Sequence, residues 1–322
     1  MNAFTFAFSR LRFASLACVA FFSMASLSEA ATSGIVGFYQ VPIPVGNSAW
    51  VCGLVAKELY HAASVTVTAD VDGKALVTFD APGWTGGEFT LHYAEPASGS
   101  CAGLAIDILS NTATTLKLDT TPAAAGLSNG MVFTVRKHNT IAGLFPDGGG
   151  FLPLTDSVSL FSSTGAQQNY FYNSFNSTWI TALGANANNV IIRPGQGMVI
   201  QATNPITLTL GKGEVCHVKT TPTKIKANAT VPNFIGPLNP LGTTTTLSAL
   251  GITSSLLPLN DSIVVLAPGA FNQTGTYLST GANLINGLGQ NANNVSLPAG
   301  ASVVINVDTA KNMALSPITV SP

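Results

Sequence analysis

Short runs that alternate between apolar and polar residues dominate the chain between residues 60 and 137. In "KALVTFD", for example, Ala75, Val77 and Phe79 fall on one side of an extended chain. Side chains alternate between the two faces of a strand, so such a run predicts a β-strand with one buried face. The "DVDG" that precedes this run predicts a hairpin turn. The same period of two recurs in five further runs: Val65, Val67 and Ala69; Phe89, Leu91 and Tyr93; Leu104, Ile106 and Ile108; Leu116 and Leu118; Met131, Phe133 and Val135.

The second half of the chain contains a repeat. The stretch Leu152–Ile200 aligns with Leu257–Ile305 without a gap at an offset of 105 residues, and 19 of the 49 aligned pairs are identical. The phrase "LPLTDSV" corresponds to "LPLNDSI", "ANANNV" corresponds to "QNANNV", and Tyr172 aligns with Tyr277. A unit of this length predicts two related domains rather than a solenoid of small repeats.

Signals for helices are scarce. Only Thr140–Phe145 and Thr246–Leu250 offer a turn or two of helix, each with a threonine available as N-cap. Short strands at regular spacing, with Gly, Pro and Asn between them, predict an all-β fold of the sandwich or barrel type. We expect five segments: a signal peptide at 1–30, an N-terminal β-domain at 31–137, a first β-module at 138–218, a linker at 219–243 and a second β-module at 244–322.

The first 30 residues predict export. Arg10 and Arg12 precede an apolar stretch, Phe13–Leu27, and Ser28 and Ala30 are small residues at the positions that a signal peptidase recognises. A membrane anchor is the alternative, but the apolar stretch is shorter than the roughly 20 residues that a spanning helix needs. We therefore expect a secreted or cell-surface protein that is cleaved near Ala30 and has no transmembrane anchor.

The low charge of the chain restricts the classes of partner that it can bind. Only 8% of the residues are charged, against about 25% in an average protein. Without the first 30 residues, 11 Lys and Arg face 13 Asp and Glu, so the basic footprint of a nucleic-acid-binding protein is absent. Surfaces with so little charge repel one another weakly, which favours self-association.

Three cysteines, Cys52, Cys101 and Cys216, remain once Cys18 is removed with the signal. An oxidising compartment allows one disulfide and one spare thiol, and Cys52 with Cys101 is the pairing we favour. The alternative is three buried, unpaired cysteines. The "GSCAG" around Cys101 has the spacing of a nucleophile elbow, but it lacks the strand-to-helix context that this motif requires.

The segment "NYFYNSFNSTW", Asn169–Trp179, is the best candidate binding surface. Tyr170 and Tyr172 share one face of a predicted strand, and with Trp179 they offer planar rings that stack on sugars or on a partner protein. The alternative is that these rings fill the core of their own module. The asparagines of the repeated "NANN" are interpreted as turn residues, with calcium or sugar binding as the alternative.

Catalytic motifs are absent from the sequence: it contains no HExxH, GxGxxG, Walker A or CxxC pattern. Asp156 and Asp261 are the one acid pair present in both copies of the repeat. Each precedes an apolar strand and is expected to cap a turn, with calcium binding as the alternative. We predict no catalytic residue, no cofactor and no metal site, although two glycosidase carboxylates from distant strands stay possible.

Several phrases together resemble a family of exported bacterial proteins of unknown function, known mainly as paralogues in Verrucomicrobia. These phrases are "GFYQVPIP", "SGSCAGLAIDILSNTATTLKLD" (Ser98–Asp119), "TIAGLF" and the "NYFYN" stretch that reaches Trp179. The resemblance covers most of the exported chain. It implies secretion and β-structure, and it supplies no catalytic residues.

Two classes of function follow from these observations. We expect a non-enzymatic exported protein of the cell surface or extracellular matrix, structural or adhesive, that associates with itself or with other surface proteins. The alternative is a secreted carbohydrate-binding or carbohydrate-active protein whose glycan partner stacks on the aromatic surface near residues 170–179.

Overall fold

The computed structural model describes residues 36–43, 48–52, 55–56, 59–215, 223–236, 238–239, 245–267, 273–298 and 300–316. Within these ranges β-strands dominate, which confirms the predicted all-β fold. The predicted signal peptide and Cys216 lie outside the described residues.

The strands are numbered in chain order. They are β1 (Val36–Ile43), β2 (Ser48–Cys52), β3 (Val55–Ala56), β4 (Leu59–Ala69), β5 (Ala75–Phe79), β6 (His92–Pro96), β7 (Ile106–Asn111), β8 (Thr115–Leu118), β9 (Val132–Lys137), β10 (Asn139–Thr140), β11 (Ser157–Phe161), β12 (Gln167–Asn173), β13 (Thr178–Thr181), β14 (Ile191–Ile192), β15 (Gly197–Gln201), β16 (Ile206–Val215), β17 (Thr223–Ala227), β18 (Asn233–Ile235), β19 (Thr245–Thr246), β20 (Ser262–Leu266), β21 (Gln273–Ser279), β22 (Leu284–Ile285), β23 (Ser296–Leu297), β24 (Ser302–Asn306) and β25 (Lys311–Leu315).

The helices of the described residues are single turns. They are α1 (Pro122–Ala125) and α2 (Ile141–Leu144), and a 3-10 turn follows at Pro146–Gly148. The threonine expected to cap α2 does so, because the Thr140 hydroxyl accepts from the Gly143 N–H at 3.1 Å. Thr246 accepts in the same way from Ala249 at 3.1 Å, but there the chain forms turns instead of a helix.

Strands β4 to β9 form a closed six-stranded barrel in the order β4-β5-β8-β7-β6-β9. Strand β4 closes it, since its first half pairs with β9 and its second half with β5. The predicted alternation is confirmed for four of the runs: the barrel core contains Ala75, Val77, Phe79, Ile106, Ile108, Leu116, Leu118, Met131, Phe133 and Val135. The strand predicted from Phe89 begins only at His92, because residues 86–91 form turns. The predicted hairpin turn is present as well, with the Gly73 N–H donating to the Asp70 carbonyl at 2.9 Å.

The first module consists of β1–β3 and β10–β16. Its main sheet has the order β13-β12-β11-β15-β2, beside a three-stranded sheet β1-β16-β3 and the pair β10-β14. The second module consists of β17–β25. Its main sheet has the order β22-β21-β20-β24-β18, beside the pairs β17-β25 and β19-β23. The order of pairing is therefore the same in the two main sheets, with β2 matched by β18. Outside these sheets β1 is matched by β17, but β3 has no counterpart among the described strands of the second module.

This pairing moves two of the predicted boundaries. Strands β1–β3 were assigned to an N-terminal β-domain, but β1 pairs with β16 and β2 pairs with β15. The barrel is thus an insertion within the first module. The predicted linker contains β17 and β18, which are strands of the second module. Both errors arise because the partners of these strands lie far away along the chain, where a local pattern gives no signal.

Candidate functional site

The rings of the candidate aromatic surface lie in the core of the first module, which is the alternative given for them above. Tyr170, Tyr172 and Trp179 are only 4%, 7% and 1% exposed. Tyr170 and Tyr172 do share a strand face, as predicted, but that face points inward. The Trp179 indole packs edge-on against Phe151 with ring centroids 5.3 Å apart, and its Nε1 donates to the Phe145 carbonyl at 3.1 Å. The indole therefore has its polar partner inside the core, and no ligand is needed to satisfy it.

The asparagines of the repeated phrase hold the backbone, as predicted. The Asn188 Oδ1 accepts from the Trp179 N–H at 2.7 Å, and the Asn293 Oδ1 accepts from the Leu284 N–H at 2.9 Å. In each copy a second asparagine forms a local turn: Asn186 accepts from Asn188, and Asn291 accepts from Asn293, both at 2.9 Å. These side chains are engaged with the protein's own N–H groups, which supports the turn interpretation over a sugar or calcium site.

The repeated aspartates also bind backbone. Asp156 is buried and accepts from the N–H groups of Leu152 and Thr203, both at 2.8 Å. Asp261 is buried and accepts from the Asp308 N–H at 3.0 Å, and it forms an ion pair with Lys311. Each carboxylate thus connects the turn before its own strand to the residues that follow the neighbouring strand, β15 in the first module and β24 in the second. Among the residues that the structure describes, no group of three His, Cys, Asp or Glu side chains is placed to hold a metal ion.

Cys101 is a free thiol in the structure, so the disulfide that we favoured with Cys52 is not formed there. The thiol is 3% exposed and belongs to the barrel core, whereas Cys52 lies on β2 in the main sheet of the first module. Burial raises the pKa of the Cys101 thiol, which lowers its nucleophilicity at neutral pH. The structure favours the alternative of a buried, unpaired cysteine at this position.

Two exposed leucines, which sequence reasoning missed, occupy equivalent turns of the two modules. Leu183 is 97% exposed and Leu288 is 83% exposed. The Gly184 N–H donates to the Thr181 carbonyl and the Gly289 N–H to the Asn286 carbonyl, each at 2.9 Å, so each leucine is the third residue of a tight turn. We call Leu183 and Leu288 the leucine tips. The identical "LG" at an offset of 105 residues was the available signal.

An open cavity of about 860 Å³ lies where the barrel and the two modules meet. We call it the junction cavity. The barrel contributes Leu104–Asp107, the first module Phe161 and Arg193–Gly197, and the second module Lys224, Lys226 and Asn312. Backbone contacts hold the junction together: the Lys224 N–H donates to the Gly103 carbonyl at 3.0 Å, and the Gly236 N–H donates to the Gly195 carbonyl at 3.2 Å.

One wall of the junction cavity contains a charged link between the barrel and the first module. The Arg193 Nε donates to Asp107 Oδ2 at 3.1 Å, and the His138 Nε2 lies 3.2 Å from Asp107 Oδ1. Burial would raise the pKa of Asp107, but the hydrogen bonds from His138 and Arg193 outweigh burial and lower it to about 2. Asp107 is therefore ionised at neutral pH and neutralises the arginine beside it.

The described residues define an all-β protein with a closed six-stranded barrel and several further sheets. No family model, no curated protein and no solved structure matches the chain. Among the described residues, no helix has the length and apolar character that crossing a membrane requires.

Proposed function

We propose that this protein is a non-enzymatic exported protein of the cell surface or extracellular matrix that acts by contact, with the leucine tips as the contact points. The observation that carries the proposal is the full exposure of Leu183 and Leu288 in equivalent turns. Tight turns favour Gly, Asn, Asp and Ser, so an exposed leucine at this position contributes nothing to the turn itself. Its presence in both copies, where 19 of 49 aligned pairs are identical, points to a use outside the fold.

The energetics suit weak, multiple contacts. Complete burial of one exposed leucine side chain stabilises a contact by about 1.5–3 kcal/mol. Two tips on one chain allow two such contacts, and multivalent binding is much tighter than either contact alone. The turns around the tips, "TALGA" and "NGLGQ", contain no charged residue that would oppose the approach of a second copy. Export of the chain, as the first 30 residues predict, places these contacts outside the cell.

The proposal is tested by the double variant Leu183→Ser/Leu288→Ser. We expect the unaltered exported chain to associate with rising concentration in analytical ultracentrifugation, and the double variant to stay monomeric over the same range. The matched control is Val71→Ser, which removes a fully exposed apolar side chain from a barrel turn. An unaltered chain that is monomeric at every concentration, or a control that loses association as completely as the double variant, would contradict the proposal.

A second measurement tests the location. Labelling of intact cells with a membrane-impermeant amine reagent should modify the protein, while a cytoplasmic marker stays unlabelled. Absence of label on the protein in intact cells, with label after lysis, would overturn the surface assignment.

A further inference from the structure

The junction cavity carries a second inference, independent of the leucine tips. We propose that it binds an acidic glycan, an oligosaccharide segment that carries carboxylate or sulfate groups. Its volume of about 860 Å³ falls within the range of roughly 300–1,000 Å³ that is usual for small-ligand sites. It also lies between elements of all three parts of the chain, a common position for binding sites.

The cationic side of the cavity is formed by strand β17. Lys224 and Lys226 are two residues apart on this strand, so both side chains point to the same face, and both line the cavity. The next residue, Ala227, points the other way and is buried in the core of the second module. Strand geometry therefore places two ammonium groups side by side at the cavity.

These two charges have no counterion within the described part of the chain. The other charges that line the cavity are compensated: Arg193 is paired with Asp107, and Asp119 is paired with Lys74 at 2.6 Å. Neither Lys224 nor Lys226 lies within 4.0 Å of a described carboxylate. The cavity consequently presents two uncompensated positive charges on a chain whose net charge is −1. This local excess favours an anionic ligand of limited length, because a long polyanion needs a more extended basic surface.

The rest of the lining suits a sugar. Phe161 and Phe234 stack with ring centroids 4.3 Å apart and an interplanar angle of 21°, and both are half-buried at the cavity. Aromatic surface of this kind packs against the apolar face of a pyranose ring. Side-chain amides that offer both donors and acceptors for hydroxyl groups complete the lining: Gln168, Asn189, Gln196, Asn228 and Asn312. Lysines, amides and a phenylalanine pair therefore match the carboxylates, hydroxyls and ring faces of an acidic oligosaccharide.

The test is isothermal titration calorimetry of the full exported chain with defined oligogalacturonides and, in parallel, with sulfated heparin oligosaccharides. Neutral cello-oligosaccharides serve as the uncharged comparison. We expect binding to at least one acidic series and none to the neutral series. The double variant Lys224→Gln/Lys226→Gln should weaken this binding about tenfold, as expected for the loss of two solvent-accessible ion pairs.

The matched control is Lys137→Gln, which removes an exposed lysine outside the cavity lining and should change the affinity less than twofold. Circular dichroism of each variant checks that the fold is intact. No binding of either acidic series at millimolar concentration would overturn the proposal, and so would equal affinity of the double variant. Equal binding of an oligothymidylate would show a general attraction for polyanions and would also overturn it. Self-association through the leucine tips is measured separately, so failure of one proposal leaves the other standing.

Discussion

The two modules pair their strands in the same way and fill their cores with different side chains. Val158 pairs with Tyr170 in the first module, and Ile263 pairs with Tyr277 in the second. The next hairpin places Trp179 opposite Tyr172 in the first module and Leu284 opposite Ser279 in the second. The first core contains five aromatic residues among its 18 buried members, Phe145, Phe151, Tyr170, Tyr172 and Trp179, whereas Tyr277 is the one aromatic residue among the 19 buried members of the second.

The comparison of the two modules shows which kinds of residue hold the backbone in the same arrangement in both. Among the side chains that both copies keep, Asn188 and Asn293 accept bonds from backbone N–H groups, and so do Asp156 and Asp261. These bonds depend on geometry that few other side chains can supply. Core side chains, in contrast, can be exchanged when the total volume is maintained. Identity between the copies therefore includes side chains that hold the backbone, together with some core positions.

The largest expected effect is on the free energy of unfolding, and it should differ between substitutions in the two cores. Trp179→Ala should lower the free energy of unfolding by about 4 kcal/mol, and Leu284→Ala by about 3 kcal/mol, because the indole leaves the larger cavity. Trp179→Ala also leaves the Phe145 carbonyl without its donor. Urea denaturation followed by circular dichroism measures both values, with Trp179→Phe as a milder variant if Trp179→Ala fails to fold. A larger loss for Leu284→Ala would mean that the second core carries more of the stability.

The next largest effect on the free energy of unfolding should differ between Asp261 and Asp156. Asp261→Asn should lower the free energy of unfolding by about 3 kcal/mol, because the Lys311 ammonium then loses its carboxylate in a partly buried site. Asp156→Asn should lower it by about 2 kcal/mol, since this side chain holds only backbone N–H groups. Adding Lys311→Met to Asp261→Asn should recover part of the loss. Equal losses for the two aspartates, with no recovery, would contradict the role given to Lys311.

A third effect tests the ion pair between Arg193 of the first module and Asp107 of the barrel. Arg193 aligns with Pro298, so the second module has no equivalent arginine. Hydrogen bonds from His138 and Arg193 overcome the effect of burial and lower the pKa of Asp107 to about 2 in the folded protein. A carboxyl whose folded pKa is lowered stabilises the fold above its unfolded pKa of about 3.9 and loses this contribution as the pH falls towards 2.

We therefore expect about 2 kcal/mol of stability to disappear between roughly pH 4 and pH 2 because Asp107 becomes protonated. In Arg193→Gln the loss across this range should be clearly smaller. Urea midpoints at pH 6, 4 and 2.5 measure it in both proteins. The same pH profile in the variant as in the unaltered chain would show that the arginine does not control this titration.

The smallest effect should be similar in both modules. Asn188→Ala and Asn293→Ala each remove one acceptor of a backbone N–H, so each should cost about 1–2 kcal/mol. Asn293→Ala also removes the bond that Asn293 Nδ2 donates to Asn283 at 2.9 Å, so its cost should lie nearer the upper end of this range. Hydrogen exchange provides a local measurement: the amide of Trp179 should exchange faster in the first variant and the amide of Leu284 in the second. A difference of more than about 1 kcal/mol between the two losses of unfolding free energy would indicate that the two asparagines are not equivalent.

Sequence patterns predicted the strands well where they pair locally. The alternation around Val77 and Phe133 identified the barrel core, because neighbouring strands along the chain are also neighbours in the barrel. The same patterns placed β1 and β2 in the N-terminal β-domain, although the partners of both strands follow the whole barrel along the chain. They left open whether the aromatic cluster faces solvent or the core, because a strand's alternation shows that two faces differ without showing which one is buried.

The repeat alignment contained a compensated error. It aligned Tyr172 with Tyr277, whereas strand pairing makes Tyr170 the equivalent of Tyr277. Tyr170 and Tyr277 lie 107 residues apart, while Val158 and Ile263, their partners, lie 105 apart. The hairpin is thus two residues longer in the second module, partly through a register shift between Val265 and Leu266. The next turn is shorter by the same amount, so Trp179 and Leu284 again lie 105 apart. A gapless alignment cannot detect two changes that cancel.

The insertion of the barrel into the first module affects the order in which the chain can fold during its synthesis. Leu59 pairs with Arg136, so the two ends of the barrel meet, and the barrel can close as soon as β9 has been made. Strand β1 must wait for β16, because Tyr39 pairs with Leu210. At roughly 5–20 residues per second this delay is on the order of ten seconds or more. During that time β1 and β2 lack their partner strands, and unpaired strands of this kind favour aggregation.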